Sequence, residues 1–397
     1  MLTDIYGSFI LVNRDNTINV DGNKTTQKRH CGPASQSRNE RGIMDIKFIK
    51  REQLKEKPDF KNLGFGKYMT DYMFVMDWSE GQGWHNAIIQ PYAPMELDPA
   101  CVALHYAQET FEGLKAYRTK EGAIQLFRPD MNAKRMAKSN ERLCMPAFPE
   151  DMFVEAVKEL VKVEKDWVPT ESETSLYIRP FMFGSELTLG VQPANAYKFV
   201  IICSPSGAYY ASGVNPVKIL AEEELVRAAK GGTGFAKCGG NYAGGILGQK
   251  KATEKGCAQV LWLDAKEHKY VEEVGTMNMM FKIKGEIYTP QLQGTVLPGI
   301  TRDSIIHILK DWGVKVNEVN VAIDDIMKAG HDGSLEEAFG TGTAAVVSPV
   351  GELLYKDDCV TINGFKTGEL TQKLYNYLTG IQWGEVEDKY GWTVEVC

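Results

Sequence analysis

Gly231-Gly232-Thr233-Gly234-Phe235-Ala236-Lys237-Cys238-Gly239-Gly240-Asn241-Tyr242 sets one lysine inside a run of glycines that leads straight into a helical pattern. Lysine is costly to order and glycine adds no packing, so the combination is a poor way to build a core. Glycines on both sides do let the backbone approach a bulky ligand closely. A lysine among small and apolar neighbours can also shed its proton and act as a Schiff-base nucleophile. Two plainer readings of the segment stand beside this one: a phosphate-cradling glycine loop, and a surface turn whose lysine is solvated. Residues elsewhere in the chain must separate them.

The chain has 397 residues, more than one hydrophobic core usually serves, which predicts two domains. Hydrophobic residues at 43% and charged residues at 24% describe an ordinary globular protein. A formal charge of -7 and a pI near 5.6 argue against nucleic acid or an anionic membrane as partner, so a small anionic substrate would need local arginines. No apolar run reaches membrane-spanning length. Eight cysteines are scattered without a C-x-x-C pair, which suits reduced thiols and a cytoplasmic setting. The six histidines form no H-E-x-x-H or Cys/His set, so no metal is expected.

Residues 1–43 are polar and aperiodic and read as a flexible N-terminal extension, with Met44 a possible alternative start. Asp4, Asp15 and Asp21 argue against a mitochondrial presequence. Residues 44–206 read as a smaller N-terminal α/β domain, with strands at 123–127, 175–183 and 197–203 and helices at 132–143 and 149–167. Ser204-Pro205-Ser206-Gly207, Ser212-Gly213 and Asn215-Pro216 mark the best break, with an interdomain linker at 207–215. The larger domain, 216–397, shows strands at 217–220, 259–264 and 280–283 and helices at 242–254, 302–312 and 369–379. The fold class is mixed α/β (α+β), and no internal repeat is present.

A lysine that holds a carbonyl cofactor makes four further demands. A carboxylate must face a protonated ring nitrogen, and Glu272-Glu273-Val274-Gly275-Thr276 offers one at a strand turn. A phosphate needs amides, which Leu297-Pro298-Gly299-Ile300-Thr301 can present at a helix start and Gly340-Thr341-Gly342-Thr343-Ala344-Ala345 in a small-residue turn. Cations are needed on the partner domain, where Arg128 ends a strand and Arg179 interrupts an apolar one. An apolar pocket is the last, for which Phe65, Tyr106, Phe111 and Tyr177 are available. Capping, strand turns, internal salt bridges and ordinary core packing explain these segments equally well when each is taken singly.

Together they resemble the branched-chain amino acid aminotransferases, of the fold-type IV class of pyridoxal-phosphate enzymes. The resemblance spans roughly residues 60–385 and is carried, in order, by Phe65-Gly66-Lys67, Leu104-His105-Tyr106, Phe111-Glu112-Gly113-Leu114-Lys115-Ala116, Leu126-Phe127-Arg128-Pro129, Ser175-Leu176-Tyr177-Ile178-Arg179-Pro180, the lysine segment, Glu273 to Asn278, Leu297 to Arg302, and Gly340 to Ala344. It implies two domains with the cofactor site at their interface, and pyridoxal 5'-phosphate as cofactor. Lys237 would hold the cofactor aldehyde and shuttle the substrate proton. Glu273 would face the pyridine nitrogen, with Tyr242 near the ring hydroxyl. The phosphate clamp would be Arg128, Ile300, Thr301 and Thr343. Ala344, Ala345 and Tyr106 would hold the substrate α-carboxylate, and Phe65, Tyr106, Phe111, Tyr177, Val191 and Thr276 the apolar wall. Arg179 resembles the residue that meets the second carboxylate of glutamate.

The resemblance further implies a homodimer in which the partner subunit donates part of that wall. The reaction would move the amino group of L-leucine, L-isoleucine or L-valine reversibly to 2-oxoglutarate. Alternatives on the same fold are D-amino acid transfer and aminodeoxychorismate lysis, and a different class is a non-catalytic anion-binding module. Some family members carry a redox C-x-x-C pair after the Gly-Thr-Ala turn, but Ala345 and Ser348 stand there in this chain, so that switch is not expected.

Overall fold

The computed structural model describes residues 44–207, 214–275 and 277–397. The expected N-terminal extension, most of the linker and Thr276 lie outside these residues. Among the described residues the strands form two nine-stranded sheets.

The first sheet takes β1 (Lys47–Phe48), β2 (Tyr72–Ser79), β3 (Gly83–Pro91), β4 (Glu109–Phe111), β5 (Leu114–Arg118), β6 (Ile124–Phe127), β7 (Ser175–Gly184) and β8 (Ala196–Ser206). The second takes β9 (Val217–Ala221), β10 (Gln259–Leu263), β11 (Val271–Val274), β12 (Met277–Ile283), β13 (Glu286–Pro290), β14 (Val316–Val319), β15 (Leu335–Gly342), β16 (Val346–Tyr355) and β17 (Asp358–Thr361). The last strand, β18 (Thr393–Glu395), returns to the first sheet and pairs antiparallel with β6, so the chain end does not follow the division expected at 207–215. Among the described residues eight α-helices accompany them: α1 (Val102–Tyr106), α2 (Pro129–Arg142), α3 (Glu150–Val163), α4 (Gly239–Ala243), α5 (Ile246–Glu254), α6 (Ile300–Asp311), α7 (Ile323–His331) and α8 (Glu369–Gln382). None of the described helices is long and apolar enough to cross a membrane.

The order β1-β3-β2-β8-β7-β5-β6-β18 puts the long pair β7 and β8 at the centre of the first sheet. Its inner face packs on α3, where Phe153, Val157, Leu160 and Val161 recur at helical spacing and are fully buried. In the second sheet, β11 pairs with both β10 and β12, closing the path β11-β10-β9-β16-β15-β12 into a ring. Closure removes open edges, and the interior fills with Val217, Ile219, Leu261, Leu263, Met279 and Phe281. A third cluster joins Tyr117 and Phe127 of the first sheet to Met280 and Phe339 of the second, with α6 and α8 against it.

Two expected boundaries shift. Ser204-Pro205-Ser206, expected to open the linker, is the end of β8, because β2 pairs with β8 only as far as Ile201 and Pro205 therefore meets β7 alone. The helix expected over 242–254 breaks at Gly244-Gly245 into α4 and α5. Helix α6 starts two residues earlier than expected, and Gly313 at φ 73° follows its end as a left-handed stop.

Candidate active site

Lys237 lies in the loop that enters α4, and this loop is tied at several points. Its amide donates to Ser139 Oγ at 2.9 Å and its carbonyl accepts from the Phe111 amide at 3.0 Å. Asn241 clasps the loop from the helix side, donating to Thr233 O and Ala236 O, each at 2.8 Å. Gly239 lies against Glu109: a Cβ there would sit 1.9 Å from Glu109 Oε1 and would displace that carboxylate. The lysine side chain reaches Tyr242 Oη at 2.9 Å and lies 4.7 Å from the Phe111 ring centre.

This amine faces a cavity of about 370 Å³ between the two sheets. The N-terminal half of the chain brings Phe65, Phe111, Tyr177 and Arg179 to it, and the C-terminal half brings Lys237, Tyr242, Ile300, Thr301, Thr343 and Ala344. Arg179 Nη2 donates to Tyr177 Oη at 2.9 Å, and its guanidinium stacks 4.8 Å from the Phe111 ring centre. Its buried Nε has no hydrogen-bond partner. An aromatic wall that carries Arg179 is the result.

Glu273 is 3% exposed and sits at the end of β11. Burial pushes its carboxyl above the usual range, opposed by the charge of Arg227, the Leu297 amide and Lys237. Arg227 Nε meets Glu273 Oε1 at 2.7 Å, and the Leu297 amide donates to Oε2 at 3.0 Å. Arg227 also donates to Thr295 O at 2.9 Å and to Gly234 O at 3.2 Å, joining the carboxylate to the lysine loop. No local pattern around Arg227 signals this partnership in the sequence.

Helix α6 opens onto the same cavity. Ile300 and Thr301 head the helix, where amides lack intrahelical acceptors, and Asn278 Nδ2 holds the preceding turn through Leu297 O at 2.9 Å. Across from it, Thr341 is 1% exposed, lines the cavity, and its Oγ1 has no partner. Arg135 is a further lining residue that sequence reasoning missed. It forms a fork with Glu112, Nε to Oε1 and Nη2 to Oε2 at 2.8 Å each, and donates to Pro298 O at 3.1 Å. On an amphipathic helix Arg135 reads as a surface residue, and only the fold supplies its buried partner.

Several expected residues are not brought into the cavity of this chain. Arg128 lies outside the lining: its guanidinium pairs with Asp303 Oδ2 at 2.7 Å and Ser304 Oγ at 2.8 Å in the first turns of α6. Its backbone is left-handed, at φ 49° and ψ 48°. Tyr106 and Val191 are 42% and 83% exposed, Tyr106 Oη donating to Leu189 O at 2.6 Å. They stand on an outward apolar surface with Leu104, Leu187 and Leu189. The Ala345 methyl packs against the core of the second sheet, while Ala344 before it lines the cavity. Thr276 is outside the described residues.

Residues 109–353 match the model of the amino-transferase class IV family, and the chain belongs to that family. Its architecture is that of the fold-type IV aminotransferases. It is 54% identical over 343 residues to branched-chain-amino-acid aminotransferase 2 of Bacillus subtilis (strain 168), covering 86% of this chain and 94% of that one. It is 53% identical over 354 residues to branched-chain-amino-acid transaminase 1 of the same organism, covering 88% and 99%. Among solved structures, the branched-chain amino acid aminotransferase of Escherichia coli superposes with a TM-score of 0.69 at 26% identity, over 82% of this chain and 99% of that one. The T.th. branched-chain amino acid aminotransferase complexed with N-(5'-phosphopyridoxyl)-L-glutamate gives 0.66 at 28% identity, over 81% and 98%.

Proposed function

We propose that this chain is a branched-chain amino acid aminotransferase that moves the amino group of L-leucine, L-isoleucine or L-valine reversibly to 2-oxoglutarate, using pyridoxal 5'-phosphate. The observation that carries this reading is one cavity holding a lysine amine, a cluster of anion-binding groups, and an aromatic wall that carries Arg179. The names of the relatives above point the same way.

The residues fit the cofactor. Thr341 offers a buried hydroxyl with no partner, Ile300 and Thr301 offer helix-start amides, and Thr343 lies on the neighbouring turn. Arg128 braces the same helix turn through its ion pair with Asp303 and its hydrogen bond to Ser304. When bound, pyridoxal phosphate supplies the electron sink that makes an α-proton acidic.

The chain's own groups do the rest. Lys237 holds and moves the proton at the substrate Cα, and the Tyr242 hydroxyl at 2.9 Å keeps its amine in place. Glu273 is the carboxylate placed to favour a positive ring nitrogen, and the Arg227 charge beside it opposes the upward push of burial and orients it. The aromatic wall of Phe65, Phe111 and Tyr177 accepts an aliphatic side chain and excludes water. Arg179 accommodates the second carboxylate of glutamate, for which its unpartnered Nε is available. Ala344 and Ala345 carry the turn amides for the α-carboxylate.

A homodimer is part of the proposal. The exposed apolar surface bearing Tyr106 and Val191 suits a second copy, whose same residues would complete the pocket wall. The seven unpaired cysteines among the described residues suit a cytoplasmic enzyme.

The test is direct. Purified protein loaded with pyridoxal phosphate should form glutamate from leucine and 2-oxoglutarate, and borohydride should fix the cofactor mass on the Lys237 peptide. A protein that stays colourless with added cofactor would favour a non-catalytic anion-binding module. Amino transfer from D-alanine but not leucine would keep the fold and overturn the substrate.

A further inference from the structure

Lys115 occupies the middle of β5, directly across from Tyr177 on β7. Leu114 and Ala116 pack into the core of the first sheet while Tyr117 joins the cluster shared with the second, so alternation turns Lys115 toward the second sheet. It is only 7% exposed. Its Nζ makes one hydrogen bond, to Ala344 O at 2.8 Å. An ammonium carries three donors, and no neighbouring charge among the described residues offsets its burial, which pulls its pKa down to about 8. Such a group is expensive to retain for packing alone.

The carbonyl it grips belongs to the turn Thr343-Ala344-Ala345 between β15 and β16, part of which lines the cavity. That turn is strained: Val346, which closes it, sits at φ 60°, a conformation β-branched residues rarely adopt. Strain of this kind persists only where surroundings impose it, and the Lys115 bond ties the turn to the opposite sheet. The Ala344 carbonyl and the Ala345 N–H belong to one planar trans peptide and point in opposite directions. A cation on the oxygen therefore orients the N–H and makes it a stronger donor.

We propose that Lys115 is a positioning residue for substrate binding: by holding the Ala344 carbonyl it aims and polarises the Ala345 amide that receives the substrate α-carboxylate. This rests on the reading of that turn as the carboxylate site. Lys115 touches neither substrate nor cofactor and acts through the peptide.

The experiment compares two ligands of equal shape on the holoenzyme, 4-methylpentanoate and the uncharged 4-methylpentanamide, by titration calorimetry. The natural sequence should bind the acid more tightly than the amide. Lys115→Met should weaken the acid about tenfold and leave the amide within about twofold, while Lys115→Arg restores the acid to within about threefold. Leucine KM should rise in Lys115→Met with kcat nearly constant. Equal weakening of both ligands, or of neither, overturns the proposal and leaves the turn assignment intact. Acid and amide binding equally to the unsubstituted enzyme would instead remove the carboxylate site itself. Should Lys115→Met fail to fold, Lys115→Gln keeps a donor without the charge. Selective weakening of the acid in it supports the proposal, and its absence overturns it.

Discussion

The two walls of the cavity are built on different principles. From the N-terminal half come side chains: Phe65, Phe111, Tyr177 and Arg179, with Arg135 held by Glu112, a surface that discriminates by shape, apolarity and charge. From the C-terminal half come turns and a helix start, where Gly299, Ile300, Gly342 and Ala344 contribute little beyond backbone, with the Lys237 amine as the exception. Backbone amides recognise any phosphate or carboxylate of the right size, and side chains decide what hangs from it. Substitutions on the first wall should therefore alter which substrate is used, and those on the second whether the reaction occurs at all.

The sharpest way to break this comparison is Lys237→Ala, expected to lower amino transfer about 10³-fold or more with leucine and with glutamate alike. Single-turnover spectra with each substrate would measure it, and a loss confined to one substrate would erase the division between walls. Next is Glu273→Ala, which leaves Arg227 as a buried unpaired cation. A stability loss of about 3 kcal/mol by urea unfolding is expected, with activity falling for every substrate. On the first wall, Arg179→Ala should lower kcat/KM for 2-oxoglutarate about 30-fold and for leucine no more than about threefold. Equal losses would remove Arg179 from its assigned role.

The smallest effect tests the backbone itself. A Cβ on Gly299 would lie 1.9 Å from Asn278 Oδ1, and Asn278 cannot swing away without releasing Leu297 O. Gly299→Ala should weaken pyridoxal phosphate binding about tenfold through displacement of the helix start, measured by cofactor titration of the stripped enzyme. Unchanged affinity would mean that the helix start does not hold the phosphate.

Much of this site is legible in the chain because its chemistry is local. The glycine-bordered lysine, the Pro-Gly helix start and the Gly-Thr-Gly-Thr turn each compress an anion or amine site into a few consecutive residues. Helix α3 shows its periodicity openly because it buries one regular face, and strands β7 and β10 show as short apolar runs because nearly all of their residues are buried. What escaped reading are charges whose partners lie far along the chain. Arg135 and Glu112, 23 positions apart, look like separate surface charges until the fold stacks α2 over β4. Arg227 and Lys115 are equally silent, because burial and not residue type gives them their roles.

The sequence by itself determined the family and marked the glycine-bordered lysine and the small-residue turns as its candidate site, since these depend on residue type at fixed short spacing. Only the tertiary structure decided the rest. It closed the second sheet into a ring, sent β18 back to the first sheet, paired Glu273 with Arg227, and turned Tyr106 and Val191 outward. The physical reason is that desolvation makes a buried charge depend on its partners, and partners are a property of the folded chain.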